Sequence, residues 1–110
     1  MTEVGQDRTF IADEGAMRKP LVTVDMSGIA SVDHLHEVLS EALEFPSWYG
    51  RNWDAFWDSI TGLVDMPEQL HLIGWGMFAE RFPRDARIMK ECLDDMSNEL
   101  PTLAARVSYS

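Results

Sequence analysis

The sequence predicts an α/β domain: a small sheet of three parallel strands packed with about four helices. Short segments of strand length, the first of them β-branched, alternate along the chain with longer segments whose apolar residues recur at helical spacing. When helices separate strands, right-handed crossovers bring the strands together in parallel and lay the helices against the sheet. With 110 residues, 45% of them apolar, the chain has the size of one domain with one modest core.

The N-terminal residues are expected to stand apart from this domain. Residues 1–19 contain few large apolar side chains, so they bury little surface and predict a flexible lead-in. The domain itself is predicted to span residues 20–110. Within it, residues 21–26 are mostly apolar, partly β-branched, and followed by Ser27 and Gly28. This pattern predicts the first strand, which we expect to be the central one.

Two helices are predicted in the first half of the domain. The first is capped by Ser31 or Asp33, carries leucine and valine at helical spacing, and ends near Pro46. The second begins after Asn52, whose side chain suits an N-cap, and runs to about Leu63. A loop that contains one glycine separates the two helices.

Two more strands and a long helix are predicted in the second half of the domain. Residues 70–73 form the second strand, and residues 77–79 a brief helical turn. Residues 84–99 carry apolar side chains on one helical face, and Pro101 ends that pattern. Residues 104–109 are the expected final strand.

The charge of the chain narrows the classes of partner. There are 9 Lys and Arg against 19 Asp and Glu, a formal net charge of −10 at pH 7. Between Lys19 and Arg81 the only Lys or Arg is Arg51, whereas ten acidic residues occupy that stretch. Such a surface repels phosphate backbones, so we expect no direct nucleic-acid binding. Acidic composition also fits an ordinary solvated surface, and only the placement of the acids distinguishes a site for a basic partner.

The sequence predicts a cytoplasmic protein without a metal or another cofactor. Cys92 is the only cysteine and has no internal disulfide partner, and the start MTEVGQDRTF lacks a basic-then-apolar signal. No apolar run approaches the roughly 20 residues of a membrane span, so no membrane association is expected. His34 and His36 lie two apart on a helix and face different directions, and His71 lies in a strand, which disfavours a shared metal.

The strongest functional signal lies in residues 48–58. Five large aromatic residues and two acids occupy these eleven positions. On a helix that begins at Trp53, Asp54 and Asp58 lie on the same face, a like-charge arrangement that costs roughly a few tenths of a kcal/mol. The helix dipole stabilises the carboxylate of Asp54 in the first turn but stabilises that of Asp58 very little. The presence of a charge at position 58 therefore needs another explanation. The aromatic residues before the helix fit a core role less well than those within it.

This segment resembles the signature of the barstar family of ribonuclease inhibitors, YYGxNxDALWDCLTG. The matching residues are Tyr49, Gly50, Asn52, Asp54, Ala55, Trp57, Asp58, Thr61, Gly62 and Val64, and they follow the signature without gaps. The order of predicted elements is also similar to that family over residues 21–110. The resemblance implies a barstar-like fold and an inhibitor or immunity protein. Such a protein is a monomer that covers the basic active site of one cognate ribonuclease toxin, without catalysis.

The resemblance also implies roles for individual side chains. Asp58 is expected to enter the phosphate-binding site of the toxin, and Asp54 to pair with a second basic group. Tyr49 is expected to stack near the catalytic histidine, and Trp48 to replace the first tyrosine of the signature. The other expected contact residues are Trp57, Gly50, Asn52, Trp53, Gly62 and, from the last helix, Asp95 with Asp94 as its alternative. An arginine at position 51 would be repelled by a basic enzyme unless it meets an acid. Its presence suggests a cognate toxin different from that of other family members.

Other functions remain open at this point. A barstar-like acidic domain could bind a different basic protein. Asp54 and Asp58 could be the acid and base of an enzyme, or metal ligands together with Asp94 and Asp95, although no strong nucleophile or phosphate-binding loop accompanies them. Pairs of tryptophan and acid also bind carbohydrate or peptide, usually on all-β scaffolds.

Overall fold

The computed structural model of the protein describes residues 18–110. The strands of its single three-stranded parallel sheet are β1 (Leu21–Asp25), β2 (Gln69–Ile73) and β3 (Arg106–Tyr109). The helices are α1 (Val32–Leu43), α2 (Trp53–Asp58), α3 (Trp75–Arg81) and α4 (Pro83–Glu99), and a π-helical turn (Ser59–Leu63) continues α2. The predicted α/β class, with three parallel strands and about four helices, is confirmed.

The centre of the sheet is β2, and the expectation that the first strand is central was wrong. β1 pairs with β2 from Leu21 opposite Gln69 to Asp25 opposite Ile73, and β2 pairs with β3 on its other side. In β1, Val24 is buried, whereas Leu21 and Asp25 are exposed. The β-branched composition of this strand therefore reflects burial of one face and says nothing of its place in the sheet.

The helices cover one face of the sheet, and the main core lies between them. Val24, Leu70 and Leu72 point into this core and are at most 4% exposed. On the opposite face, Thr23 lies beside His71 on the neighbouring strand, and Thr23 is exposed. The site described below lies on the helical layer, where α1 and α2 meet.

α1 and α2 both begin at a polar cap. Ser31, and not Asp33, caps α1: its hydroxyl accepts a hydrogen bond from the backbone N–H of His34 at 3.0 Å. α1 ends at Leu43, earlier than the sequence predicted, because Glu44 turns the chain with a φ of 60°. The aromatic loop, residues 44–52, then leads to α2.

α2 changes its hydrogen-bond pattern after Asp58. The backbone N–H of Val64 donates to the carbonyl oxygen of Ser59 at 3.1 Å, five residues back, which defines the π-helical turn. The hydroxyl of Thr61 donates to the carbonyl oxygen of Trp57 at 2.6 Å. This wider turn carries the helical segment to Leu63, the end that the sequence predicted.

The second half of the domain follows the prediction with one longer helix. The brief turn expected at residues 77–79 is the seven-residue helix α3. It begins at Gly74, whose φ is 71°, and a Cβ there would lie 2.7 Å from Cβ of Ser27. α4 begins at Pro83, a residue that suits the first turn because its missing N–H leaves no bond unmade.

Residues 1–17 lie outside the described residues, so the predicted lead-in and the domain boundary at residue 20 stay predictions. Arg18 is described, and its guanidinium donates to the carbonyl oxygens of Met66 at 2.8 Å and Ala104 at 3.2 Å. This side chain thus joins the segments that precede β2 and β3. Within residues 18–110, no helix is long and apolar enough to cross a membrane.

Candidate protein-binding site

An open hollow of about 500 Å³ lies between the aromatic loop and α2. We call it the Asp58 hollow. Its lining residues are Trp48, Tyr49, Gly50, Ala55, Asp58, Ser59 and Leu63. Most of this lining is apolar, and Asp58 supplies its only carboxylate. The hollow therefore combines an apolar surface with one negative charge, a combination suited to a cationic group of a partner.

Asp54 and Asp58 are exposed carboxylates on one side of α2. Neither forms an ion pair with any residue in the range 18–110, whereas the described cations Lys19, Arg51 and Lys90 each meet another acid. The like-charge spacing of four residues predicted from the sequence is thus present without a described counter-charge. As far as residues 18–110 are concerned, both carboxylates are available to a basic partner.

Trp48 is the ring that a partner can reach. Its side chain is 70% exposed, the largest exposure among the large apolar residues described. Tyr49 is half-buried instead: its hydroxyl lies 2.7 Å from Nδ1 of His36, and its ring centroid lies 4.8 Å from that of Phe45. Burial raises the pKa of Tyr49 well above its ordinary value. Trp48 thus offers the more exposed ring, and the stacking role that the resemblance implied for Tyr49 stays a prediction.

Asn52 and Gly50 have duties inside the domain. Oδ1 of Asn52 accepts the backbone N–H of Ala55 at 2.7 Å and caps α2, and Nδ2 donates to the carbonyl oxygen of Gly50 at 3.2 Å. A Cβ at position 50 would lie 3.3 Å from Nδ2 of Asn52, so a side chain there would press on the cap. These two residues shape the entry to α2, whatever they contact outside it.

We expect Asn52→Ala to lower the free energy of unfolding by about 1 kcal/mol, because it leaves the first turn of α2 without its cap. Urea denaturation followed by tryptophan fluorescence measures this change. Asn52→Asp is the matched control: it keeps the accepting oxygen and should recover most of the loss. Equal losses in both variants would contradict the capping role.

Trp53 is held by contacts within the domain. Its Nε1–H donates to Oδ1 of Asp85 in α4 at 2.9 Å, and its ring centroid lies 4.7 Å from that of His36 and 5.2 Å from that of Phe56. Trp57 is also partly buried and packs against the core. The structure gives Trp53 a packing role, and its predicted contact with a partner stays untested.

Arg51 meets acids of its own chain. Its guanidinium lies 2.9 Å from Oδ2 of Asp33 and 3.9 Å from Oε2 of Glu37, both on α1. These pairs are exposed and contribute at most about 1 kcal/mol. The φ of Arg51 is 55°, a left-handed conformation that favours glycine, so this position carries some backbone strain. The positive charge in the loop is thus balanced from within.

Asp94 and Asp95 are both exposed on α4. Burial raises the pKa of the Cys92 thiol, and the negative charges of Asp95, Glu91 and Asp54 raise it further. Asp94 instead pairs with Lys90 at 3.1 Å. Asp94 thus has a counter-charge on its own helix, and the predicted contact of Asp95 with a partner stays a prediction.

Gly62 shows no steric need for glycine in the described part of the chain. A Cβ built at this exposed position meets nothing within 4 Å. Leu63, which the sequence analysis did not single out, follows it and is 47% exposed at the wall of the Asp58 hollow. Its signal in the sequence is only an apolar residue beside a glycine at a helix end.

His36 is the residue of this region whose importance the sequence did not indicate. It is 1% exposed and supports both Tyr49 and Trp53 from α1. Its position among the buried leucines of that helix was the available signal. Within residues 18–110, no group of three or more His, Cys, Asp or Glu side chains is placed to hold a metal ion.

Comparison with known proteins identifies a family and a similar bacterial protein. The profile of the family described as Barstar (barnase inhibitor) matches residues 19–108. A protein of Bacillus subtilis (strain 168) named "Putative ribonuclease inhibitor YrdF" is 45% identical over 56 residues, or 51% of this chain. The matched part spans 59% of the length of that relative.

Proposed function

Because the chain belongs to the barstar family, we propose that it inhibits a microbial ribonuclease by covering the basic active site of that enzyme with the surface around Asp58. One observation carries the proposal: an exposed carboxylate without a described counter-charge stands at an apolar hollow beside the exposed ring of Trp48. The name of the Bacillus subtilis relative, a ribonuclease inhibitor, supports the same reading.

The chemistry of a ribonuclease site explains why carboxylates suit this task. Such a site holds the phosphate of RNA with cationic side chains, and a carboxylate offers the same cations two oxygen acceptors. Pairs of carboxylate and guanidinium are short and often bidentate, and they are strongest where neighbouring rings exclude water. In this proposal Asp58 takes the place of a phosphate, and Trp48 covers the contact.

The flanking acids extend the charged surface. Asp54 lies one helical turn before Asp58, and Asp95 is exposed on α4, so in this proposal both meet cations at the rim of the enzyme. Occlusion of this kind needs neither catalysis nor a cofactor. We propose that the protein acts as an immunity protein or antitoxin in the cytoplasm, as a monomer bound to one toxin, before export of the toxin or on its entry.

The proposal is tested by co-expressing the full chain with bacterial ribonuclease toxins, barnase among them, and measuring cell survival and RNA cleavage. We expect the wild-type chain to neutralise at least one of these enzymes and Asp58→Ala to fail against it. Neutralisation of none, together with the absence of any complex, would overturn the proposal. Equal neutralisation by wild type and Asp58→Ala would overturn the assignment of the site.

Association with the ribonuclease should also depend on salt. Because the chain carries a net charge of −10 and the enzyme site is basic, long-range attraction should accelerate the encounter. We expect the association rate constant to fall by about tenfold or more when NaCl rises from 50 to 500 mM, since screening shortens the range of the attraction. Stopped-flow tryptophan fluorescence measures both rate constants, and the dissociation rate constant should change far less. An association rate that is indifferent to salt would contradict this mechanism.

A further inference from the structure

The hydroxyl of Tyr49 meets one buried side chain. Nδ1 of His36 lies 2.7 Å from the Tyr49 hydroxyl, and His36 is 1% exposed on α1. Tyr49 stands next to Trp48 in the aromatic loop and forms part of the wall of the Asp58 hollow. A change at His36 therefore reaches the proposed contact surface through a single hydrogen bond.

Charged and titratable groups face His36 from three elements. They are Asp33 from α1, Arg51 and Tyr49 from the aromatic loop, and Asp85 from α4. Burial lowers the pKa of His36 and outweighs Asp85 and Asp33, which oppose that change, while Arg51 adds to it. His36 is therefore a neutral imidazole at neutral pH.

The state of His36 decides the direction of the hydrogen bond. The imidazole tautomer decides which group donates: a bare Nδ1 accepts the proton of the Tyr49 hydroxyl, whereas a protonated Nδ1 donates to the hydroxyl oxygen. A protonated imidazole must donate from Nδ1, so the hydroxyl has to become the acceptor and turn its own proton elsewhere. The next acceptor is the carbonyl oxygen of Asn52, at 3.5 Å. If Nδ1 of neutral His36 is bare, protonation of His36 thus rearranges the bonding of the aromatic loop.

We propose that His36 is a positioning residue for the aromatic loop, and that it holds Tyr49 and the adjacent Trp48 in the binding arrangement only while its imidazole is neutral. This inference rests on the proposed function and adds its regulation: binding of the ribonuclease weakens as His36 takes up a proton. A basic enzyme docked over the loop brings further positive charge close to His36. The complex therefore disfavours protonated His36 more strongly than the free protein does.

Protonation of His36 lowers the stability of the fold, just as it weakens binding. In the unfolded chain the pKa of His36 has its ordinary value near 6.5, so the unfolded chain binds this proton more readily than the folded one. The stability that depends on neutral His36 is complete above that pH and is lost as the pH falls below it. Binding must accordingly be measured where circular dichroism shows that each variant is folded.

The free protein provides the first test, which needs no ribonuclease. In an NMR titration from pH 8 to 5, we expect the amides of Tyr49 and Gly50 and the indole N–H of Trp48 to shift with the midpoint of the His36 imidazole. In Tyr49→Phe these signals should no longer follow His36, although His36 still titrates. His34→Asn is the matched control on the same helix and should behave as wild type. Loop signals that follow no histidine, or that follow His34 or His71, would overturn the proposal.

The second test measures affinity for barnase, or for whichever ribonuclease the chain neutralises, between pH 8 and 5. His36→Asn keeps an acceptor near the position of Nδ1 but cannot take up a proton. We expect the affinity of wild type to fall about tenfold more than that of His36→Asn from pH 7 to 5. Comparison on the same enzyme removes the titration of the enzyme's own groups, and equal pH profiles would overturn the proposal. If no ribonuclease binds at pH 7, the proposed function fails, and the NMR titration still decides whether His36 positions the loop.

Discussion

Asp58→Ala is expected to weaken ribonuclease binding by at least about 2 kcal/mol more than Glu44→Ala, or about 30-fold in Kd. Asp58 stands at the centre of the proposed contact, where the apolar lining of the hollow removes water from the pair it forms. Glu44 lies at the start of the aromatic loop and pairs with Lys19, so it is a rim charge with a partner of its own. Isothermal titration calorimetry against the neutralised ribonuclease measures the difference.

Two controls separate the loss of charge from damage to the fold. Asp58→Asn keeps the shape of the side chain and removes its charge, so it should lose most of the affinity that Asp58→Ala loses. Asp94→Ala removes an acid of α4 that pairs with Lys90, and it should bind as wild type does. Similar losses of affinity from Asp58→Ala, Glu44→Ala and Asp94→Ala would mean that the net negative charge of the chain attracts the enzyme. In that case Asp58 would make no specific contact.

Trp48→Ala is expected to weaken binding by about 2 kcal/mol while changing the free energy of unfolding by less than about 0.5 kcal/mol. Its ring is 70% exposed, so the folded chain loses little contact when the ring is removed. A bound enzyme would lose a large apolar surface that shields the charged contact of Asp58. Inhibition of RNA cleavage gives the affinity, and urea denaturation gives the stability.

The control for this prediction is Trp48→Tyr, which places the tyrosine of the family signature at this position. It keeps an aromatic ring and should retain most of the affinity. A destabilised Trp48→Ala, or one that binds as tightly as wild type, would contradict the assignment of the contact ring to Trp48. In that case the half-buried ring of Tyr49 would have to supply the aromatic contact.

The elements of the fold were predictable because their signals are local. Helical spacing of leucine in α1 and the caps at Ser31 and Asn52 depend on residues within one or two turns of each other. The order of the strands was not predictable in the same way. Leu21 pairs with Gln69, 48 positions along the chain, and nothing in the composition of either segment states which strand has two neighbours.

The candidate site was likewise predictable where its signals are local and not predictable where they depend on distant residues. The spacing of Asp54 and Asp58 was enough to put both carboxylates on one side of a helix, since a helical period is a property of the segment itself. The sequence of the aromatic loop did not indicate which of its two rings, Trp48 or Tyr49, is the more exposed. Tyr49 is half-buried and meets His36, 13 positions earlier in the chain, whereas Trp48 is 70% exposed.

Local patterns thus carried the family signature, the fold class and the charges that a partner would meet. Which side chains of this segment are held inside the domain was decided by tertiary contacts. Arg51 is balanced by Asp33 across 18 positions, and Trp53 is bound to Asp85 across 32, because folding brings together groups whose separation along the chain carries no periodic signal. Residue types and short spacings predict what a segment offers, whereas long-range packing decides which of those side chains remain free to bind.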